Sequence, residues 1–188
     1  MSYNNKNNNK GSLYQNNDNI LQKKTIINFV NKFTKNIEKI VVHCGIGCLK
    51  EVPDDVIDFF FQQLILITGQ KPKVKYAKKP IAGFHLRENT PLGLFTTLRK
   101  KYMFSFFTRL IAIILPQNYE FRGFSQKQFD GHGNFTIPIK SIFDFRECDP
   151  KKYYKYAKIG LNISIVTNFQ TNEEAFTLLR EYGLLVEK

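Results

Sequence analysis

Tryptophan is absent from this 188-residue chain, cysteine occurs three times and methionine twice. Three thiols (Cys44, Cys48 and Cys148) cannot build a paired disulfide framework, which points to a reducing compartment. Acidic residues are scarce as well: 16 Asp and Glu stand against 28 Lys and Arg, a net charge of +12. Such an excess points to a polyanionic partner, either nucleic acid or a membrane surface. No run reaches the roughly 18 uncharged apolar residues that a transmembrane helix needs. The best candidate, Tyr102–Leu115, is short and carries Arg109, so it reads as a core helix. An apolar secretory core and an Arg-rich transit pattern are both missing from the first residues, so the expectation is a protein made in the compartment where it works. Glycine-rich phosphate loops of the P-loop and dinucleotide-binding spacings are absent, and so is a nucleophile elbow. Neither the aromatic signature of an RRM nor the G-x-x-G loop of a KH domain appears.

What is present is a real core and a concentrated charge. Hydrophobic residues make up 43% of the chain, enough for one folded domain. The basic excess is not spread evenly. Residues 71–110 hold ten Lys and Arg (Lys71, Lys73, Lys75, Lys78, Lys79, Arg87, Arg99, Lys100, Lys101, Arg109) against Glu88 alone. These cations are interleaved with Pro72, Tyr76, Pro80, Gly83 and Phe84, so they belong to folded chain rather than to a loose tail. A structured basic surface suits phosphate-backbone binding, because each neutralised phosphate releases condensed counterions. The bland alternative is a solvated face, and the clustering weighs against it.

Along the chain, residues 1–19 are rich in Asn and Lys, with almost nothing to bury, and read as a disordered extension. Residues 20–188 read as a single domain. Ile26, Ile27, Val30 and Phe33 are spaced for one helical face within Ile20–Asn36. Ile37–Cys44 reads as a strand ending at the Gly45-Ile46-Gly47 turn. Pro53 is placed for a first helical position, with Asp54 and Asp55 in the first turn, Ile57, Phe60, Phe61 and Leu64 on one face, and Gly69 as the stop. Lys73–Tyr76 and Leu92–Arg99 read as strands flanking a basic loop, and Lys101–Leu115 as a helix ended by Pro116. Gln117–Gly133 is loop-like, Phe135–Ile139 and Ile142–Phe145 are short strand candidates, and Lys151–Lys158 is a basic link. Leu161–Thr167 is a β-branched strand, after which Thr171 and Glu174 predict a capping box for a last helix through Tyr182. Strands and helices mixed in this order predict an α+β fold, a mostly antiparallel sheet with helices on one face.

Few constellations carry chemistry. His43, Cys44 and Cys48 suggest a zinc site, but four ligands are needed and no second pair follows. Cys148, His132 and Asp130 can be assembled into a hydrolase trio that any chain of this length offers by chance. Of the 18 Phe and 9 Tyr, Phe60, Phe61, Phe104 and Phe107 sit at core spacing, which leaves Tyr76 and Phe84 as the stacking candidates beside Lys78-Lys79-Pro80. Neither a catalytic residue, a metal ligand nor a cofactor is expected.

The segment Ile67-Thr68-Gly69-Gln70-Lys71-Pro72, followed by Lys78-Lys79-Pro80-Ile81-Ala82-Gly83-Phe84-His85-Leu86-Arg87, resembles the large-subunit ribosomal protein L5 family. Further stretches fit in order: Ile37–Ile40 with Gly45-Ile46-Gly47, Thr97-Leu98-Arg99, Phe121-Arg122-Gly123, Phe129–Asn134, Ile163–Thr167 and Thr171–Ala175. The resemblance runs from about Ile20 to Gly183. It implies a roughly five-stranded antiparallel sheet with helices on one side, and a structural RNA-binding protein rather than an enzyme.

By the same resemblance, the protein binds 5S rRNA in the central protuberance through His43, Gln70, Thr97 and Arg99. The loop from Lys73 to Ala82 reaches the peptidyl-site tRNA with Lys73, Lys75, Tyr76, Lys78 and Lys79, while Lys71, Arg87 and Lys100 add general RNA affinity. The implied partners are 5S rRNA, large-subunit rRNA, P-site tRNA, neighbouring central-protuberance proteins and the small-subunit protein S13, met by loops within about residues 117–150. A membrane is not among them. The chain departs from the family where His43 replaces Asn, His85 replaces Lys, His132 replaces Arg, and Lys100-Lys101-Tyr102 replaces Gly-Glu-Arg. The richness in Asn, Lys, Ile, Phe and Tyr matches an AT-rich coding sequence and suggests a mitochondrion-encoded ribosomal protein, with a bacterial or plastid ribosome as the alternative. A second function class is the same fold kept as a protein–protein or large-subunit rRNA bridge in a ribosome that lacks 5S rRNA.

Overall fold

The computed structural model describes residues 29–47, 53–84, 86–117, 123–148, 156 and 158–185. The expected N-terminal extension, the start of the first helix, Cys48, His85, Phe121, Arg122 and most of the Lys151–Lys158 link lie outside the described residues.

Residues 29–36 form helix α1, and the chain passes directly into strand β1 (Ile37–Gly45). Helix α2 (Asp54–Thr68) follows, then β2 (Lys73–Tyr76) and β3 (Pro91–Leu98). Helix α3 (Lys100–Arg109) runs on through a π-helical turn (Leu110–Ile114) into a last α turn, α4 (Leu115–Gln117). Strands β4 (Phe135–Ile139) and β5 (Leu161–Thr167) and helix α5 (Asn172–Glu181) complete the fold. The five strands form one sheet in the order β2-β3-β1-β5-β4, antiparallel at every pairing, so the expected α+β architecture holds.

One face of the sheet is the core. In β1 the alternation buries Ile40, Val42 and Cys44, which lie opposite Leu98, Thr96 and Leu94 of β3 and Ile165, Ile163 and Leu161 of β5. Phe135, Ile137 and Ile139 of β4 continue the same buried rows. Period-2 alternation in antiparallel strands covered on one side produces this pattern. The helices supply Phe60, Leu64 and Ile67 from α2 and Met103, Phe106 and Phe107 from α3 to cover it. Phe33 of α1 packs its ring 5.3 Å from Phe104, 4.8 Å from Phe107 and 5.1 Å from Tyr182, which ties α1, α3 and the end of α5 together. Pro138 sits in β4, an edge strand, where its missing N–H costs no ladder bond.

Four local expectations need correction. Pro53 is the residue before α2 rather than its first; its extended backbone (φ −60, ψ 144) lets its carbonyl accept the first helical bonds. Pro116 lies inside α4 instead of ending the helix. The π turn just before it, with the Leu115 N–H donating to the Leu110 carbonyl, widens the helix where a proline ring would clash with the preceding turn. Ile142–Asp144 is a 3-10 turn rather than part of a strand, because the Ser141 hydroxyl accepts from the Phe143 N–H and winds the backbone. The Thr171 capping box does not form. Thr171 makes no side-chain bond to the helix, and next to it the Asn172 side chain accepts the Gly133 N–H at 3.0 Å, fastening the loop before β4 to the start of α5.

Candidate nucleic-acid interface

Opposite the helices, the second face of the sheet carries no covering layer among the described residues. Strand register fixes what it presents. Lys73, Phe95, His43, Asn162 and Pro138 stand in one row across all five strands. Four inter-strand spacings of about 4.8 Å carry that row over roughly 19 Å. A second row runs Thr97, Val41, Ser164 and Thr136, with the Ser164 and Thr136 hydroxyls 3.3 Å apart. A third sets Lys75 beside Gly93 and Gly45. Glu38 is the only acidic residue in the five strands.

Within this face the Lys75 ammonium lies 5.2 Å from the centre of the Phe95 ring. A cation held over an aromatic face is attracted by the ring quadrupole, so this pair pre-positions a charge beside a flat apolar platform. Gly93 makes the arrangement possible. A Cβ there would fall 2.8 Å from the Cys44 carbonyl oxygen and 3.0 Å from His43 Nε2, so only glycine lets the imidazole lie across the strand. An aromatic flanked by lysines on an open antiparallel sheet can stack bases while holding their phosphates.

At one end of these rows the chain supplies further polar groups. Gly69 ends α2 in the left-handed region (φ 70), its N–H donating to the Ile65 carbonyl. The Thr68 hydroxyl donates to the Leu64 carbonyl at 2.6 Å and accepts the Gln70 N–H at 3.3 Å, which fixes the exit toward Gln70, Lys71 and β2. Arg99 follows β3 directly and is exposed; its Nη1 lies 3.2 Å from Glu38 Oε1 and 3.4 Å from the Glu38 carbonyl oxygen. Lys39 also approaches Glu38, at 3.5 Å. Lys100, with φ 51, opens α3 beside them.

The structure therefore brings His43 and Thr97 onto one face in adjacent strands, with Lys73 and Lys75 beside them in β2. Arg99 and Lys100 stand just past the end of β3, and Gln70 and Lys71 lead into β2. Tyr76 pairs with Pro91 and is exposed. Lys78, Lys79 and Arg87 are not on the sheet; they belong to the hairpin extension beyond β2 and β3. Phe95, Gly93 and Glu38 were missed by the sequence reading. Phe95 had a signal: with Leu94 and Leu98 in buried phase, alternation turns residue 95 to the other side.

The hydrolase trio loses its chemistry, while Cys48 of the weighed zinc cluster lies outside the described residues. Burial, helped by Glu147, pushes the Cys148 thiol up to about 12, so it is not a nucleophile at neutral pH. The Asp130 carboxylate accepts from Asn134 Nδ2 at 2.6 Å and from the His132 and Asn134 N–H groups; these bonds, the Asn134 side chain first, hold it below its usual range. It is a loop brace. Among the described residues no three His, Cys, Asp or Glu side chains converge on one point, and no helix is long and apolar enough to cross a membrane.

Comparison with protein families gives two matches that follow one another along the chain. Residues 35–87 match the family described as Ribosomal protein L5, and residues 91–186 match the C-terminus of the same ribosomal family. The first covers β1 through the basic hairpin, the second β3 through α5.

Proposed function

Since the chain belongs to the ribosomal protein L5 family, and is a structural rather than catalytic member of the large ribosomal subunit that binds rRNA, we propose that its open sheet face anchors 5S rRNA in the central protuberance. His43 and Thr97 would bond the RNA from the strands, while Arg99 and Gln70 grip it at the sheet's end. The observation that carries this reading is the row Lys73, Phe95, His43, with Lys75 over Phe95, on a face whose strands hold a single acid. Water-excluded polar contacts of this kind are costly to lose from either side. In the same proposal the hairpin with Tyr76, Lys78 and Lys79 meets peptidyl-site tRNA, and a loop within residues 117–150 meets small-subunit protein S13. Exposed lysines suit a ligand that must leave each cycle, because their grip is electrostatic and loose. The richness in Asn, Lys, Ile, Phe and Tyr, which an AT-rich coding sequence produces, supports a mitochondrial ribosome as the setting.

Ultraviolet crosslinking of the native protein in its own ribosomes, with sequencing of the attached RNA, tests this. The expected result is a short RNA of 5S type joined to peptides spanning Lys71–Arg99. Crosslinks from that segment to large-subunit rRNA or tRNA alone overturn the 5S reading and favour the fold as a bridge. Recovery of the protein outside an organelle fraction would overturn the mitochondrial setting.

A further inference from the structure

Beyond β2 and β3 the basic hairpin continues as a braced stalk. The Ala77 N–H donates to the Thr90 carbonyl at 2.8 Å and the Asn89 N–H to the Ala77 carbonyl at 3.0 Å. Ile81 and Leu86 then exchange both backbone bonds, at 3.0 and 3.1 Å, and the Phe84 N–H donates to the Ile81 carbonyl at 3.2 Å to close the turn Ala82–Phe84. At the tip of this stalk Phe84 is 80% exposed, with Ile81 (46%) and Tyr76 (55%) below it. Among the described residues no aromatic ring packs against Phe84. Its neighbour Gly83 is equally unexplained from within: its φ is not positive, and an added Cβ would meet nothing within 4 Å. Gly69 and Gly93 have internal reasons to be glycine; Gly83 has none. An outward phenylalanine and an unneeded glycine, side by side on a rigid tip, both point to something outside the chain. The stalk carries Lys78, Lys79 and Arg87 against Glu88, so that something is anionic, and a flat apolar surface joined to a polyanion is a nucleobase.

We propose that Phe84 is a stacking finger, laying its ring on the uncovered face of a nucleobase in the RNA that the stalk's cations hold, with Gly83 leaving room for the base to approach. The inference rests on the RNA reading of the hairpin given above and adds a preference: RNA with uncovered bases over continuous duplex. The stalk's bracing makes this economical, since a pre-positioned ring loses little freedom on binding.

The full chain is tested by equilibrium binding of a fluorescent tRNA transcript, whose loops hold uncovered bases, and of a long RNA duplex, across a range of salt. Phe84→Ala is expected to weaken tRNA binding roughly 5- to 150-fold, the range that one base–aromatic stack supplies. It should leave the salt slope, the duplex affinity and the melting temperature unchanged. Phe84→Tyr should bind as the unsubstituted protein does, Phe84→Leu should fail like Ala, and Gly83→Ala should weaken binding without moving the melt. Lys78→Ala, by contrast, should flatten the salt slope by about 0.7 to 0.9. If Lys78→Ala weakens binding while Phe84→Ala does not, the finger is refuted and the RNA reading of the hairpin stands. If neither matters, both fall. Retained binding by Phe84→Leu, or a Phe84→Ala loss seen only on anionic phospholipid vesicles, makes the tip an apolar anchor and overturns the proposal.

Discussion

Replacing Glu38 by Gln should tighten RNA binding, although Glu38 touches the residue expected to do the binding. In the free protein the carboxylate holds Arg99 at 3.2 Å and Lys39 at 3.5 Å. Arg99 and Glu38 are about half exposed, 54% and 43%, which puts a pair of this kind at about 0.2–1 kcal/mol. A phosphate arriving at Arg99 must displace that carboxylate or share the guanidinium with it. At a separation of about 7 Å in water the two anions repel by about 0.6 kcal/mol, less than half of that surviving at physiological salt. Removing the charge and keeping the shape therefore gains about 0.5–1.4 kcal/mol, a 2- to 10-fold tighter complex at low salt. Fluorescence anisotropy with an rRNA fragment at 50 and 300 mM salt measures it, and the gain should shrink at the higher salt. Arg99→Ala is the reference and should weaken the same complex. Weaker binding by Glu38→Gln would refute the reasoning, because it would mean that the carboxylate aims the guanidinium rather than occupies it.

Three further outcomes follow from the packing. Gly93→Ala should destabilise the fold by about 1–3 kcal/mol and displace the His43 ring, since its Cβ would fall 2.8 Å from the Cys44 carbonyl oxygen; urea unfolding reads the first effect, the His43 ring proton shifts the second. Arg109→Met should cost about 1–2 kcal/mol in the same assay, because Nη2 donates to the Ile67 carbonyl at 2.6 Å and Nη1 to Glu147 at 2.7 Å, joining α3 to the end of α2; an unchanged urea midpoint would show those bonds to be dispensable. The Cys148 thiol, pushed up to about 12 by burial, stays neutral in the native state while the unfolded chain ionises near the ordinary thiol value. Stability from this group is therefore intact at neutral pH and is lost as pH rises from about 9 to 12; Cys148→Ala should remove that part of the alkaline decline in the urea midpoint, and an identical pH profile would contradict it.

Strands were the most legible elements, and the reason is chemical. Lys73–Tyr76, Phe135–Ile139 and Leu161–Thr167 are short runs of β-branched or alternating residues bounded by Pro, Gly or Asn, and each forms with the bounds that pattern predicts. Ile142–Phe145 has an equally apolar look but winds into a 3-10 turn, because four residues cannot distinguish the two periods and the Ser141 hydroxyl decides locally. Helix ends were less readable. Gly69 stops α2 as its backbone freedom predicts, whereas Pro116 is absorbed by a π turn whose formation depends on packing across Leu110 and Ile114. The Thr171–Glu174 spacing offered a capping box, but Thr171 makes no side-chain cap bond, and the side-chain bond at this helix start runs from the Gly133 N–H to Asn172, 39 residues away in sequence.

The interface divides in the same way. Its cations were visible, because a charge cluster is a one-dimensional fact: the Lys and Arg of residues 71–110 need no fold to be counted, although Arg109 among them braces α3 against the end of α2. What those cations surround was not visible. Phe95 becomes a platform only when β2 pairs with β3 at Lys73, and His43 joins it only because β1 lies on the other side of β3 at that register. A slip of one residue would turn Phe95 into the core and expose Leu94. Glu38 is harder still, since its reach to Arg99 spans 61 residues. On the proposed reading, base contact on this face is a property of strand register, with charge recruiting the RNA and register deciding which side chains it meets. The two aromatic positions differ in setting: Phe95 is half-buried within the sheet under Lys75, which on the proposed reading suits a lasting contact, while Phe84 is exposed on the turn at the end of the stalk, which suits one made and broken repeatedly.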